Sequence, residues 1–482
     1  MDIGLYRSEK IEYCDEPPFH PSTHYPEYPF PEICPSLNST YDGIRQLFFS
    51  MDLDKKNFNT SLWNPLGTFI QPGNTVLIKP NLVYEGHRKE DLTVLITHPS
   101  IVRAVLDYVS IALNHEGSVT IGDAPIQSTD FTRVISDSGL IKIIDYYALH
   151  SNVRVSLVDF RNSQGKVNTF GGLDRKSLPG DPLGYSSIDL SFSSEHCEMN
   201  KSWGNYRVTN YAPDVMVKHH NIHKNEYLIA NSVLQADVIL NLPKLKTHRK
   251  AGMTCALKNL VGINGSKDWL PHHRIGSIAE GGDEYLYKSI RKKILTLINE
   301  KKDVSENLPL LSLLAIIQKI ILKTVKIVPF KDDFFEGSWY GNDTIPRTIV
   351  DLNKILFYSD KKGQMQKSIQ RKIFSVVDAV IAGEKEGPLH PDWKRCNMLL
   401  AGDNPVAIDL VSSQIMGFDY MKIPTLHRAV SCKDYPLFSG DIENIILKSE
   451  NPDRFSDIIK KFNQKFRPSD GWRGHIEKDG LS

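Results

Sequence analysis

At 482 residues the chain is long for one small core and fits two packed lobes or one domain with large insertions. Its 40% hydrophobic and 24% charged residues are those of a globular protein, and 58 Lys and Arg against 57 Asp and Glu leave a net charge of +1, which excludes a global pull toward nucleic acid or anionic lipid. The cysteines at 14, 34, 197, 255, 396 and 432 form no C-x-x-C pair, so no iron–sulfur cluster is expected and reduced thiols are the simple reading.

The opening "MDIGLYRSEK" has charges where a signal peptide needs an apolar stretch, so a cytoplasmic chain is expected. Residues 15 to 35 carry seven prolines, and 1–38 reads as an extended arm lying over the surface. An α/β lobe follows over 39–159. In it "NTVLIKPNLV" (74 to 83) has the profile of a buried strand, "HPSIVRAVLDYVSIAL" (98 to 113) that of a helix with Pro99 in its first turn, and "SVTIGDAP" (118 to 125) that of a second strand. Strand, helix, strand at this spacing predicts α/β architecture with mostly parallel sheets and flanking helices.

Residues 160–230 form an inserted segment, polar and β-rich over 160–215. "ADVILNLP" (236 to 243) restores the buried-strand profile within 231–284, a core strand with a basic loop and helix. A mostly helical insertion spans 285–372. It holds "LPLLSLLAIIQKIILKTVKIVPF" (308 to 330), where Lys319, Lys323 and Lys326 interrupt any bilayer-crossing span. This amphipathic helix packs in a core or on a partner, or makes peripheral membrane contact. The α/β core resumes over 373–450, and 451–482 is a tail.

"NLPKLKTHRKAGMTCALKNLVG" (241 to 262) concentrates positive charge at the end of a buried strand, where open α/β sheets bind ligands. A basic solvated loop is one reading. The other is an anion site: Lys244 and Lys246 alternate directly after the strand, and Lys258 lies in an otherwise apolar helix expected to start near Gly252, where an unpaired ammonium is costly. Lys79, Asn81 and Asp123 stand at the other two strand ends and would line the same cleft, with His98 close behind. Asp123 also fits a turn or cap. Asp403 reads as an N-cap before Pro405, leaving Asp409 as the better functional carboxylate. Cys255 is a small core residue or a low-pKa thiol.

"KHHNIHKNEY" sets His219 and His223 at a four-residue step that would align two imidazoles on a helix, against the plainer reading of a surface His run. "PHHRIGSIAEGGDEY" joins His272, His273 and Arg274 to Asp283 and Glu284, giving either a metal or anion site or a structural ion pair. No G-x-S-x-G elbow, Walker loop or G-x-G-x-x-G after the first strand is present, so hydrolase, nucleotidase and Rossmann dehydrogenase readings have no motif.

The ordered blocks "VLIKPNLV", "THPSIVRAVLDY", "GSVTIGDAP", "ADVILNLPKLKTH", "AGMTCALKNLVG", "VVDAVIAGEKEGP" and "LAGDNPVAIDLVSSQIMGFD" resemble the domain of unknown function 362 (DUF362) family over most of 74 to 427. Some members add a ferredoxin-like domain, whose cysteines this sequence lacks. "HRKAGMTCALK" is also similar to a segment of nickel-pincer lactate racemases, matched at His248, Ala251, Gly252 and Lys258, with Thr254 in place of the usual serine. That resemblance implies Lys258 as cofactor anchor or anion partner, His248 as proton carrier and His272 or His273 as a metal ligand, although the nickel-binding histidine has no positional counterpart. The expected function is an enzyme acting on an anionic small molecule, a hydroxy acid or acidic sugar, by isomerase or redox chemistry. Lys79, Asn81, Lys244, Lys246, Thr254, Arg274 and Asp123 would hold the anion, with His98, His248 and Lys258 catalytic. The alternative is a non-catalytic scaffold that binds an anion or a partner, with membrane association as one form of it.

Overall fold

Strand Thr75–Pro80 turns Val76 and Ile78 to one face of the sheet and Leu77 to the other, and all three are fully buried. Apolar residues on both faces of a strand demand a cover on each side, the mark of a parallel α/β sheet. The computed structural model describes residues 1–169, 172–209, 213–449 and 451–478. Parts of the expected polar insertion (170–171, 210–212) and tail (479–482) lie outside the described residues.

Among the described residues one sheet has eleven strands: β1 (Asp2–Arg7), β2 (Thr75–Pro80), β3 (Gly117–Asp123), β4 (Val153–Asp159), β5 (Val238–Leu242), β6 (Lys244–His248), β7 (Gly252–Thr254), β8 (Lys372–Glu386), β9 (His390–Gly402), β10 (Ile446–Lys448) and β11 (Asp453–Arg454). Its order is β11-β10-β1-β9-β8-β5-β2-β3-β4, with β6 on β8 and β7 on β6. From β8 through β5, β2, β3 and β4 neighbours are parallel, with Val238 opposite both Val76 and Lys372. The β8–β9 and β9–β1 pairs are antiparallel.

The helices that position the site are α1 (Ser39–Ser50), α2 (Pro99–Ala112), α3 (Ala256–Asn259), α4 (Ile290–Val304), α5 (Leu308–Ile327), α6 (Thr344–Tyr358) and α7 (Pro405–Met416). On one face α1 and α2 pack Ile44, Leu47, Phe48, Ile101 and Val105 over Val76, Ile78 and Leu240. On the other, α6 and α7 pack Ile349, Leu352, Val406 and Leu410 over Leu77 and Ile239. Each such side chain contributes roughly 1.5–3 kcal/mol by leaving water. The two lobes expected thus resolve as two cores on opposite faces of one continuous sheet.

Three elements differ from expectation. The proline-rich arm is not laid loosely on the surface: Phe19, Tyr28 and Phe30 are buried in the α1–α2 core. The end of the helical insertion is core, because all of α6 is buried. Asn404 rather than Asp403 caps α7, accepting from the N–H groups of Val406 at 2.9 Å and Ala407 at 3.0 Å. By contrast α5 stays outside. It is long and apolar enough to cross a membrane by length and composition, yet only Leu311 in it is buried, so it is not a core helix.

Candidate active site at the strand ends

The parallel strands β2 and β3 end together, and their last residues are stapled. Lys79 Nζ lies 2.7 Å from Asp123 Oδ1 and donates to the Pro80 carbonyl at 2.8 Å, while Asp123 Oδ2 accepts the Leu82 N–H at 2.7 Å. A Cβ at Gly262 would overlap Asp123 Oδ1 and come within 2.8 Å of Lys79 Nζ, so the pair requires glycine there. Lys79 is therefore neutralised by its neighbour and is no free anion ligand. Removing either partner would leave a buried charge unpaired.

Past Pro243 the chain continues as β6 instead of a loop, because long β8 offers a free edge and sets Lys244 opposite Asp378. Lys244 Nζ pairs with Asp378 Oδ2 at 3.0 Å and donates to Tyr13 Oη at 2.8 Å, with both charges fully buried. His98 belongs to this cluster: its ring stacks on Tyr13 at 4.0 Å and its Nδ1 contacts Ser100 Oγ at 2.8 Å at the cap of α2. Burial, then Lys244, pushes the imidazole down to about 3, which keeps it neutral. The expected roles of Lys244 in anion binding and His98 in proton transfer give way to an ion pair and a helix cap. Lys246 is buried as well, and donates to Leu95 O at 2.6 Å and Asn81 Oδ1 at 3.3 Å.

β6 turns into β7 through Gly252, at φ +79°, beneath Trp472, whose indole N–H donates to Arg249 O at 2.7 Å. The turn binds His248: its Nδ1 accepts the N–H groups of Lys250 at 3.0 Å and Ala251 at 3.1 Å, leaving only Nε2 for other work. The helix expected from Gly252 is thus a hairpin followed by one short turn, α3. Asp409 of α7 caps that turn, accepting from Ala256 N at 2.6 Å and Leu257 N at 3.0 Å. Burial raises this carboxyl to about 7. A buried amide chain fixes the other side: Asn259 donates to Lys79 O at 3.0 Å and Asn241 Oδ1 at 2.8 Å, and Asn81 donates to Asn259 Oδ1 at 3.2 Å. Together these contacts hold Lys258 at the ends of β2 and β5.

Lys258 faces a cavity of 300 Å³ lined by Asn81, Asp123, Gln127, Lys250, Lys267 and His272 among others. Among the described residues neither Lys258 nor Lys267 has a carboxylate or hydrogen-bond partner for its amine. Among the described residues Lys250 reaches Thr209 at 3.1 Å and Glu336 at 3.8 Å. Burial pushes Lys250 and Lys258 down to about 8 and Lys267 to about 7. Gln127 is 5% exposed and its Nε2 has no partner among the described residues, a third unmet donor on the cavity wall. His272 Nδ1 sits 2.7 Å from Leu270 O and donates to it, leaving Nε2 as the acceptor.

The remaining expected residues are dispersed. Arg274 pairs with Asp283 at 3.3 Å, the structural ion pair, and does not line the cavity. His273 lines a separate pocket beside Glu284 and Asp303, so the two adjacent histidines serve different walls. Thr254 is buried in β7 with an unpartnered hydroxyl. His219 ends its helix, stacks on Trp269 at 3.3 Å and pairs with Glu226, while His220 contacts Trp269 O. Cys255 is fully buried and its thiol is pushed well up, as befits a core residue. Among the described residues no three His, Cys, Asp or Glu side chains gather to hold a metal ion. Tyr13, Gln127, Lys267 and Asp378 escaped sequence reasoning. Of these only Lys267, in "GSKDW", carried a signal, a cation near two histidines.

The sequence profile described as Domain of unknown function (DUF362) matches residues 76–174 and 198–414, which hold the strand ends, the hairpin, α3 and the cavity lysines. The chain belongs to this family. This DUF362 chain is 21% identical over 362 residues to a thylakoid-associated protein of Synechocystis sp., covering 75% of its own length and 68% of that protein. A crystal structure of a Thermotoga maritima protein aligns with a TM-score of 0.31 at 10% identity, over 74% of this chain and 54% of that one, so the chain spans about half that structure's length. These matches do not speak for the nickel-pincer lactate racemases.

Proposed function

We propose that the chain is an enzyme that binds a small organic anion in the lysine-lined cavity, a hydroxy acid or acidic sugar, and isomerises it by moving a proton. The observation that carries the reading is the pair Lys258 and Lys267, two amines in one cavity with no carboxylate in ion-pair contact among the described residues, the nearby Asp123 being already paired with Lys79. Desolvated ammonium groups favour an anion strongly, and the unmet Gln127 Nε2–H adds a directed hydrogen bond. A volume of 300 Å³ suits a metabolite-sized ligand. His272 takes the proton-transfer role in place of His98 and His248, because its Nε2 is the uncommitted ring nitrogen on this wall. In this reading its Nε2 takes the proton from the carbon beside the carboxylate, a cavity ammonium, Lys258 or Lys267, gives a proton to the opposite face of that carbon, and the carbon is inverted.

The test is calorimetric titration with malate, lactate and glucuronate, followed by solvent deuterium exchange into the ligand that binds. Binding should weaken at least about tenfold in Lys258→Ala and in Lys267→Ala. Deuterium should enter the ligand with the native chain and not with His272→Gln. Affinity untouched by either lysine change would refute the reading. The Synechocystis relative is named thylakoid-associated; that name favours, as a second reading, a DUF362 chain at work beside a membrane, and lends nothing to the expected cytoplasmic location.

A further inference from the structure

α5 is twenty residues long and presents its apolar side to solvent. Leu313, Ile316, Ile320 and Ile327 follow one another at intervals of three, four and seven, which places them on one stripe, and Ile316, Ile320 and Ile327 are 55%, 57% and 81% exposed. The partner helix α4 adds exposed Ile290 and Leu297. Lys319, Lys323 and Lys326, each three or more positions on, form a second stripe flanking the first, and have no carboxylate partner among the described residues. Opposite both stripes Leu311 is buried, and Gln318 accepts from Lys302 at 2.9 Å and donates to Asn299 at 3.0 Å, which seats α5 on α4. Over 288–331 there are ten Lys and Arg against three Asp and Glu, in a chain that as a whole balances 58 against 57.

We propose that the α4–α5 hairpin docks the protein on an anionic lipid bilayer, with α5 lying in the plane of the headgroups. An apolar stripe sinks into the acyl boundary while flanking lysines keep their ammonium groups at the phosphates, their stems covering apolar surface. The excess of local positive charge complements an anionic leaflet and supplies attraction that a neutral surface lacks. Three lysines along the helix disfavour a transmembrane pose and suit one parallel to the surface. This deepens the membrane reading above and is independent of what the cavity binds.

The full-length chain is sedimented with vesicles of phosphatidylcholine alone and of equal parts phosphatidylcholine and phosphatidylglycerol, at low and high salt. It should pellet with the anionic vesicles, be released by high salt or carbonate, and stay in solution with the neutral ones. The exposed triple change Lys319→Gln, Lys323→Gln, Lys326→Gln should weaken binding roughly a hundredfold, and Ile316→Ser with Ile320→Ser at least about tenfold. Anion titration of the cavity in the same variants should be unchanged, so failure here and failure of the enzymatic reading are told apart. Absence of vesicle binding, binding indifferent to both sets of changes, or resistance to carbonate extraction would each overturn the proposal. So would a native dimer, seen by light scattering, that the isoleucine changes convert to monomer without any vesicle binding, since the stripe would then be a protein interface.

Discussion

Lys267 is the cavity amine most displaced from its ordinary value of 10.5, held at about 7 by burial, against the pull of Asp123 and with help from Lys258, Lys79 and Arg161. Between these two values the folded chain binds fewer protons at this site than the unfolded chain, so stability from this group rises with pH across the window and is lost as pH falls through about 7. Replacing Lys267 by Met removes the charge and with it this slope. We expect Lys267→Met to be more stable than the native chain by about 1–2 kcal/mol near pH 6, a reduced figure because the side chain as a whole is half-buried, with the difference shrinking toward pH 10. Urea unfolding of both chains at several pH values measures it, and a difference that does not vary with pH would place the amine in water. The same protonation predicts that a bound anion is lost as pH rises past about 7 and then about 8, as Lys267 and then Lys250 and Lys258 discharge. Burial lowers Lys244 as well, but there Asp378 at 3.0 Å opposes the shift and answers the charge, so no ligand is needed.

At the scale of elements, α3 is too short to persist by itself, and its place depends on contacts made from elsewhere. Asp409 supplies them by taking two of its N-terminal N–H groups at 2.6 and 3.0 Å. Asp409→Ala should cost about 2–4 kcal/mol in urea unfolding through two orphaned buried donors, whereas Asp409→Asn, which keeps one acceptor, should cost about half of that. Asp409→Asn should also weaken anion binding by displacing Lys258, a second readout that loss of stability alone would not move; unchanged affinity would mean that α3 is held by its amide chain. The buried strands β2, β3, β5 and β8 were legible in the sequence because runs of Val, Ile and Leu bounded by Pro, Asp or Gly admit few other structures. The β6–β7 hairpin was not, because charged residues in a strand become tolerable only once β8 and Asp378 are there to meet them. Asp378 and Tyr13 lie 365 residues apart in sequence, so no local pattern shows that Lys244 is already paired or that His98 is stacked and capping. The lysine signal was real, but it marked two different things: paired lysines that close the sheet, and unpaired ones that face the cavity.

For the whole molecule the decisive feature is that adjacent residues of one strand feed both cores: Val76 and Ile78 belong to the α1–α2 side, Leu77 to the α6–α7 side. Neither core can be exposed while β2 stays in register, since every strand would then present a dry face to water. The arm and the tail tighten this coupling from the two ends of the chain. Tyr13 reaches Lys244 on β6, and Trp472 closes the β6–β7 turn through Arg249, so both terminal segments are bound to the same hairpin. Two independent lobes would unfold in two steps; this arrangement predicts one. Urea titration followed by tryptophan fluorescence and by far-ultraviolet circular dichroism should give superimposable single transitions. The α4–α5 hairpin is the expected exception, because α5 buries only Leu311 and its helix can melt without opening either core, which would appear as a small early loss of helical signal with no fluorescence change. Anionic vesicles should move that early loss to higher urea and leave the main transition where it is, because a ligand stabilises only the element whose folded form it binds.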